Sequence, residues 1–134
     1  MSTENNNALT VTITELQNLL TWPENWNSYD ALAPKPVVVA LAVTWITAFY
    51  HHIMPLKLQW IAPNVTASAN GEVVLEWRYT QRELTIYIGE QDIDYLQVWS
   101  NDVKAKMTDG DIKTINDAQQ LWQWLLEATQ ENTK

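Results

Sequence analysis

Apolar residues recur at helical spacing near the start of the chain. Their three- and four-residue steps match one face of a helix, and the stripe comprises Ile13, Leu16, Leu19 and Leu20. Thr12, with Glu15 three residues later, matches a capping box. These patterns predict a short helix at about 13–21. Residues 1–10 are mostly polar and are predicted to be a flexible tail, ahead of a single domain formed by residues 11–134.

A second helix is predicted from Pro36, which suits the first turn of a helix because it lacks an N–H, to about His52. Within residues 37–50 only Thr44 and Thr47 interrupt the apolar run. A helix that is apolar all round is buried, either inside the fold or against another subunit. The run is shorter than the ~20 residues of a membrane span. The sequence therefore predicts no membrane insertion and leaves open a homodimer through this helix.

From Leu58 onward the apolar residues alternate, which is the period of strands. Strands are predicted near residues 60–69, 72–79, 83–89 and 92–99, with a weaker edge strand at 104–112. Asn70-Gly71 between the first two predicts a two-residue type I′ turn, whose central residues both need positive φ.

The last segment returns to helical spacing. Its apolar stripe comprises Ile115, Ala118, Leu121, Trp122, Leu125 and Leu126. This helix is predicted to be capped at Thr114 or Asn116 and to run to about Thr129. Consecutive strands flanked by helices predict an α+β fold: an antiparallel four- to five-stranded meander with two N-terminal helices and one C-terminal helix packed on one face.

Composition narrows the function classes. The 134 residues carry 16 acids and 8 bases, a formal net charge of −8. Proteins bind phosphate backbones by neutralising them with Lys and Arg. The excess of acids therefore argues against binding to nucleic acid or to an anionic membrane surface, and it favours a basic protein partner.

Eight tryptophans predict several half-covered rings, since an indole N–H needs a partner. With no cysteine and no signal-peptide pattern, a cytoplasmic location is expected.

Candidate chemistry is sparse. His51 and His52 point about 100° apart on a helix, a poor geometry for one metal ion, and are interpreted as helix-terminal histidines. Glu72 and Glu76 share a strand face. A further acidic run comprises Glu90, Asp92 and Asp94. The sequence contains no phosphate-binding loop, nucleophile elbow or His-Glu-x-x-His motif, so it predicts no enzyme, no cofactor and no metal site.

The segment Trp22–Ala31 is rich in turn-forming and aromatic residues. A recognition loop would offer these rings to a partner, whereas a packed loop would hold them on the domain's own core; packing is the favoured interpretation. The sheet face opposite the helices, where Thr85 lies, is a second docking candidate. The predicted partner-binding residues are Trp22, Glu24, Trp26, Tyr29 and Asp30 in the loop, with Glu76, Arg78 and Tyr87 on the sheet.

The same segment resembles one in short uncharacterised bacterial proteins. Residues 23–31, Pro-Glu-Asn-Trp-Asn-Ser-Tyr-Asp-Ala, followed by Pro-Lys-Pro, are similar to their Pro-Glu-(Asn/Gly)-Trp-Asp-(Gly/Ser)-Tyr-Gly-Ala pattern, which precedes Pro-x-Pro and a helix. Their hairpin and strand ending Leu-Glu-Trp correspond to residues 70–77. The chain departs from the pattern at Asn27 and Asp30. The resemblance covers about residues 15–90 and implies no established activity, so no catalytic residues are carried over.

These observations predict a non-enzymatic protein-binding module, such as an antitoxin, an immunity protein or a small accessory subunit of a bacterial complex. One alternative is an acidic nucleic-acid mimic that inhibits a defence protein, which would need acids in a spaced array across one face. Another is a small hydrolase or metalloenzyme, which would need His51, His52 and carboxylates to converge on one point.

Overall fold

The computed structural model describes the backbone of residues 3–100 and 105–127. Three helices lie at Thr3–Asn18 (α1), Pro36–Ile53 (α2) and Ile115–Leu126 (α3). Five strands lie at Asn64–Ala67 (β1), Val73–Tyr79 (β2), Arg82–Ile88 (β3), Ile93–Ser100 (β4) and Ala105–Asp111 (β5). Short 3-10 turns follow α1 at Leu19–Thr21 and α2 at Met54–Leu56.

The strands form one antiparallel meander in the order β1-β2-β3-β4-β5. Alternate residues of β2 and β3 join one core with side chains of the three helices, and they are Val73, Leu75, Trp77, Leu84, Ile86 and Ile88. Because strand side chains alternate between faces, the helices cover one face of the sheet and leave the other, with Glu76 and Thr85, outside the core. The predicted α+β meander, with two N-terminal helices and one C-terminal helix on one face, is confirmed.

Helix α1 begins well before its predicted start. The flexible tail predicted for the first ten residues is helical from Thr3 onward. Thr12 does not cap the helix: it is fully buried, and its Oγ1 donates to the carbonyl of Ala8 at 3.1 Å. The Thr14 hydroxyl likewise donates to the carbonyl of Thr10, four residues earlier, at 3.0 Å. Threonine hydroxyls can bond backward inside a helix as well as cap it, and the spacing of residues does not separate the two.

The β1–β2 turn has three residues rather than two. Gly71 has a φ of 84°, whereas Asn70 has no positive φ. The carbonyl of Ser68 accepts from the Gly71 N–H at 3.0 Å, and the Ser68 N–H donates to the carbonyl of Glu72 at 3.0 Å. This is a type I turn followed by a left-handed glycine. The predicted type I′ turn is therefore wrong, although the glycine is the residue that the turn requires.

Both ends of α3 have specific partners. The Thr114 hydroxyl accepts from the Asp117 N–H at 3.2 Å, and the Asp117 carboxylate accepts from the Thr114 N–H at 3.0 Å, which confirms the predicted cap. At the other end, Arg82 is buried, donates from Nη1 to the carbonyl of Trp124 and lies 4.9 Å from the centroid of that ring. A cation here satisfies the last carbonyls of a helix. The described helix ends at Leu126, and the predicted end at Thr129 lies outside the described residues.

Aromatic rings fill the space between the helices and the sheet. Trp77 and Trp122 are buried, and the other six tryptophans are half-buried, which confirms the prediction of half-covered rings. The ring centroid of Trp122 lies 5.6 Å from Phe49, 5.3 Å from Trp60 and 5.4 Å from Trp77. Its Nε1 donates to the carbonyl of Gln59 at 3.0 Å. Trp122 is therefore the centre of the core.

Helix α2 has a buried and an exposed side, so the fold itself covers only one side of the helix, and the predicted burial against another subunit stays a prediction for the other. Phe49 and Ile53 are fully buried, whereas Val37 and Leu41 are 52% and 41% exposed. With its 3-10 turn the helical segment Pro36–Leu56 has 21 residues, and it is the one helix in the described part long and apolar enough to cross a membrane. The prediction from the sequence compared only the apolar run of residues 37–50 with a membrane span. That length was too short, because the helix and its 3-10 turn continue past His51 and His52 to Leu56. Of the most apolar 18 residues of this segment, 39% are buried inside the fold.

Candidate functional site

The loop Trp22–Ala31 has a compact backbone with three left-handed residues. Asn25, Ser28 and Asp30 have φ angles of 60°, 67° and 64°, a region that residues other than glycine seldom adopt. The Asn25 N–H donates to the carbonyl of Ala31 at 2.7 Å, and the Ser28 N–H donates to the carbonyl of Asn25 at 3.0 Å. These bonds close the loop on itself.

Two asparagine side chains complete the hydrogen bonding of the loop. Oδ1 of Asn27 accepts from the N–H of Tyr29 at 2.8 Å and from that of Ala31 at 3.2 Å. Oδ1 of Asn25 accepts from the N–H of Asp30 at 2.7 Å. Asparagine side chains bond nearby backbone groups in turns. Here these bonds offset the cost of the left-handed conformations.

Three of the predicted contact residues hold the loop itself in place. The ring centroids of Trp22 and Trp26 lie 4.8 Å apart, and Trp22 packs against the core. Nε1 of Trp26 donates to the carbonyl of Leu32 at 2.8 Å. Oε2 of Glu24 accepts from the N–H of Ala33 at 2.9 Å. For these side chains the structure agrees with the packing interpretation.

Tyr29 has a different environment. Its side chain is 84% exposed, more than that of any other large hydrophobic residue among those described, while its backbone N–H is bonded to Asn27. The loop therefore combines a fixed backbone with an aromatic ring that solvent surrounds.

None of the three left-handed residues of this loop is a glycine. Glycine adopts positive φ without the penalty that a Cβ brings. The left-handed backbone at Asn25, Ser28 and Asp30 therefore has a conformational cost.

We expect Asp30→Ala to lower the free energy of unfolding by about 1 kcal/mol, and Asp30→Gly to keep or raise it. Alanine has a steric penalty in the left-handed region that glycine lacks. Urea unfolding measures which of the two variants is the more stable. At Asp109, exposed in β5, the alanine variant should instead be more stable than the glycine variant, because glycine weakens a strand. A glycine variant that is the more stable at both positions, or the less stable at both, would contradict the loop conformation.

The predicted sheet residues lie on the face opposite the helices. Glu76 accepts from Nδ2 of Asn64 at 2.8 Å, and Arg78 forms an ion pair with Glu83 at 3.1 Å. Glu76 and Arg78 line one shallow depression. Tyr87 is half-buried and lines a separate depression nearer the edge strand β5. The structure thus groups Glu76 with Arg78 but not with Tyr87.

Sequence reasoning missed three apolar residues on the same face. Leu96 and Val98 of β4 are half-buried, and Met107 of β5, directly opposite Val98, is 67% exposed. The sequence of β4 could have indicated this apolar surface, because Tyr95 and Leu96 are both apolar although they point to opposite faces of the sheet. A strand that is apolar on both faces indicates a second surface to be covered.

Carboxylates gather at one end of this face. Asp94 lies directly opposite Asp111 in the register of β4 and β5. A hydrogen bond with the Asp111 carboxyl, followed by burial and by the charges of Asp111, Asp92 and Glu72, raises the pKa of Asp94 above its usual value. Like charges directly opposite one another destabilise a sheet.

Asp94→Asn should raise the free energy of unfolding at pH 7 by about 0.5 kcal/mol and change it little near pH 3. Because the folded-state pKa is raised, Asp94 stabilises the fold while protonated, and this contribution is lost as the pH rises through the folded pKa. Urea unfolding across the pH range measures the difference. Asp109→Asn, whose carboxylate lies opposite Leu96, is the control. A variant less stable than wild type at pH 7 would contradict the repulsion between Asp94 and Asp111 that raises the pKa of Asp94.

The histidine pair has separate surroundings. Nε2 of His52 lies 2.7 Å from Oε1 of Gln119, whereas His51 is exposed and its ring meets that of Tyr50 edge-on. Among the residues that the structure describes, no group of three or more His, Asp or Glu side chains is arranged to hold a metal ion. The hydrolase or metalloenzyme alternative gains no support from these residues.

No family model, no curated protein and no solved structure matches this chain.

Proposed function

We propose that this chain is a non-enzymatic protein-binding module that recognises a basic partner protein in the cytoplasm. Antitoxins, immunity proteins and small accessory subunits of bacterial complexes are examples of this class. The supporting observation is Tyr29, which is 84% exposed on a loop whose backbone is held by Asn25 and Asn27.

A fixed loop makes an exposed tyrosine an effective interface anchor. Tyrosine buries a large area with few rotatable bonds, and it is enriched among the residues that dominate binding energy. Ordering a flexible loop costs free energy during association, and a loop that is ordered beforehand avoids most of that cost. The hydrogen bonds of the loop therefore favour a binding role for Tyr29.

The open sheet face supports the same function. Leu96, Val98 and Met107 form an apolar patch there, and Asp109 and Asp111 lie beside it on β5. Apolar surface of this kind is typical of docking sites, and carboxylates at its border favour a partner with basic residues.

Purification of the tagged, full-length chain from its native host tests the proposal. We expect one basic protein to co-purify in stoichiometric amount, and its yield to fall as salt screens the acidic surface. Recovery of this chain alone at every salt concentration would contradict the proposal.

The carboxylates favour one second candidate, an acidic mimic of nucleic acid. The charges of Asp111, Asp92 and Glu72 all act on Asp94, so part of the chain's negative charge is concentrated around this residue. The partner of a mimic should bind DNA or RNA, and this chain should displace that nucleic acid in a competition assay. A partner without affinity for nucleic acid would exclude the mimic and leave the protein-binding module in place.

A further inference from the structure

A groove runs between α2 and the β3–β4 turn. One wall comprises Leu41, Thr44, Trp45 and Ala48, and the other comprises residues 88–93. The groove encloses about 390 Å³ and its lining is mostly apolar. Trp45 and Ile93 pack against the core while remaining half-exposed, so their outer surfaces form part of the groove.

The α2 wall carries no charge. The helix contains no Lys, Arg, Asp or Glu. Four of its exposed residues recur in steps of four, three and four residues, and they are Val37, Leu41, Thr44 and Ala48. This spacing aligns them in one stripe along the helix. Such a stripe ordinarily packs against another surface, yet here it remains exposed.

Acids border the groove at the β3–β4 turn. Glu90 and Asp92 line the groove, and an adjoining depression adds Glu72 and Asp94. Lys35 is the one base among the residues that line this depression; it pairs with Glu90 at 3.1 Å, and both side chains are about half exposed. An exposed ion pair contributes little to stability, so a Lys or Arg from another molecule can replace Lys35 at small cost.

We propose that this groove binds a segment of the partner protein in which an apolar side chain is flanked by Lys or Arg, an inference that rests on the proposed function. The apolar side chain fills the space between Leu41, Trp45 and Ile93, and the flanking cations reach Glu90 and Asp92. Burial of apolar surface supplies most of the affinity. The exposed charges steer the approach and select basic sequences.

A second copy of this chain fits the groove less well. Each copy carries a net charge of −8 and the same acidic border. Pairing two grooves would bring Glu90 and Asp92 of one copy near those of the other, and juxtaposed like charges disfavour association. The charge of the border therefore favours a basic occupant.

Panning a phage-displayed random dodecapeptide library against the immobilised full-length chain tests the inference. Selected peptides should share an apolar residue next to Lys or Arg. Leu41→Ser should lower the affinity of a selected synthetic peptide by at least about tenfold. Leu56→Ser should leave it within about twofold, because Leu56 is 43% exposed against 41% for Leu41 but does not line the groove.

Charge variants test the acidic border separately. Asp92→Asn should lower the affinity of the same peptide by about threefold at low salt and less at high salt, because salt screens exposed charges. Glu15→Gln, the same change in charge at an exposed position on α1, should have no effect. Equal effects of the two variants would contradict a role for the border.

Three results would overturn the inference: selected peptides without the pattern, affinities unchanged by Leu41→Ser, or a different occupant of the stripe. The last would appear as a homodimer in size-exclusion chromatography, or as binding to phosphatidylcholine vesicles, that Leu41→Ser abolishes. Failure of the groove is distinguishable from failure of the proposed function. Partner capture that depends on Tyr29 but not on Leu41 would leave the function standing without the groove, and absence of any captured partner would remove the function.

Discussion

Tyr29→Ala should weaken binding of the captured partner by at least about thirtyfold, which corresponds to the loss of about 2 kcal/mol typical of a hot-spot residue. The ring is 84% exposed in the free chain, so it is available for burial against the partner and adds little to the core. The free energy of unfolding should therefore stay within about 0.5 kcal/mol of wild type. Isothermal titration calorimetry with the purified partner measures the affinity, and urea unfolding measures the stability.

Two further variants separate the ring from other effects. Tyr29→Phe keeps the aromatic surface and should retain most of the affinity. Leu20→Ala removes apolar surface from a residue that is 50% exposed outside the loop, and it should bind as wild type does. Equal affinities of Tyr29→Ala and wild type would show that the partner does not contact this ring.

Trp122→Ala should lower the free energy of unfolding by about 4 kcal/mol, the cost of truncating a fully buried aromatic residue. Trp122 is completely buried, its ring contacts those of Phe49, Trp60 and Trp77, and its N–H is bonded to the carbonyl of Gln59. Removing the ring leaves a cavity between the helices and the sheet. For a domain of this size most of the stability is then lost. Urea unfolding measures the effect, and we expect a lower midpoint or a variant that does not fold.

A conservative pair of variants shows which part of that cost is hydrogen bonding. Trp122→Phe leaves the Gln59 carbonyl without its donor, which costs about 1 kcal/mol beyond the loss of ring area. Trp60→Phe removes an N–H that is itself buried without a partner, so no hydrogen bond is lost. Trp122→Phe should therefore be clearly less stable than Trp60→Phe. The opposite order would contradict this arrangement of the core.

The periods of apolar residues were sufficient to predict the layout of the fold, because each apolar face is buried against another. In β3, Leu84, Ile86 and Ile88 are buried and alternate with half-buried residues, as a strand with one covered face requires. Element ends were less predictable because they depend on individual hydrogen bonds. Thr12 can cap a helix or bond back within one, and its position inside α1 with a hydrogen bond to the Ala8 carbonyl decides between them.

The loop could be located from its composition, but its shape could not be predicted. Asn25, Ser28 and Asp30 are residue types that occur in many turns, and their left-handed backbone depends on which amide each asparagine side chain accepts from. The aromatic residues also differ in environment, since Trp22 packs against the core and Trp26 packs against Trp22, while Tyr29 remains exposed. The groove was missed for a similar reason: an all-apolar helix gives no sign of which side stays uncovered.

Whether the partner binds at the loop Trp22–Ala31 is decided by photo-crosslinking in the native host. A photoreactive phenylalanine analogue in place of Tyr29 should form one adduct, with the basic protein that co-purifies, because an exposed ring on a fixed loop meets the partner in one geometry. The same analogue in place of Leu56, which lies outside the proposed surfaces, should form none. No adduct from position 29 while the partner still co-purifies, or equal adducts from both positions, would contradict the proposed site.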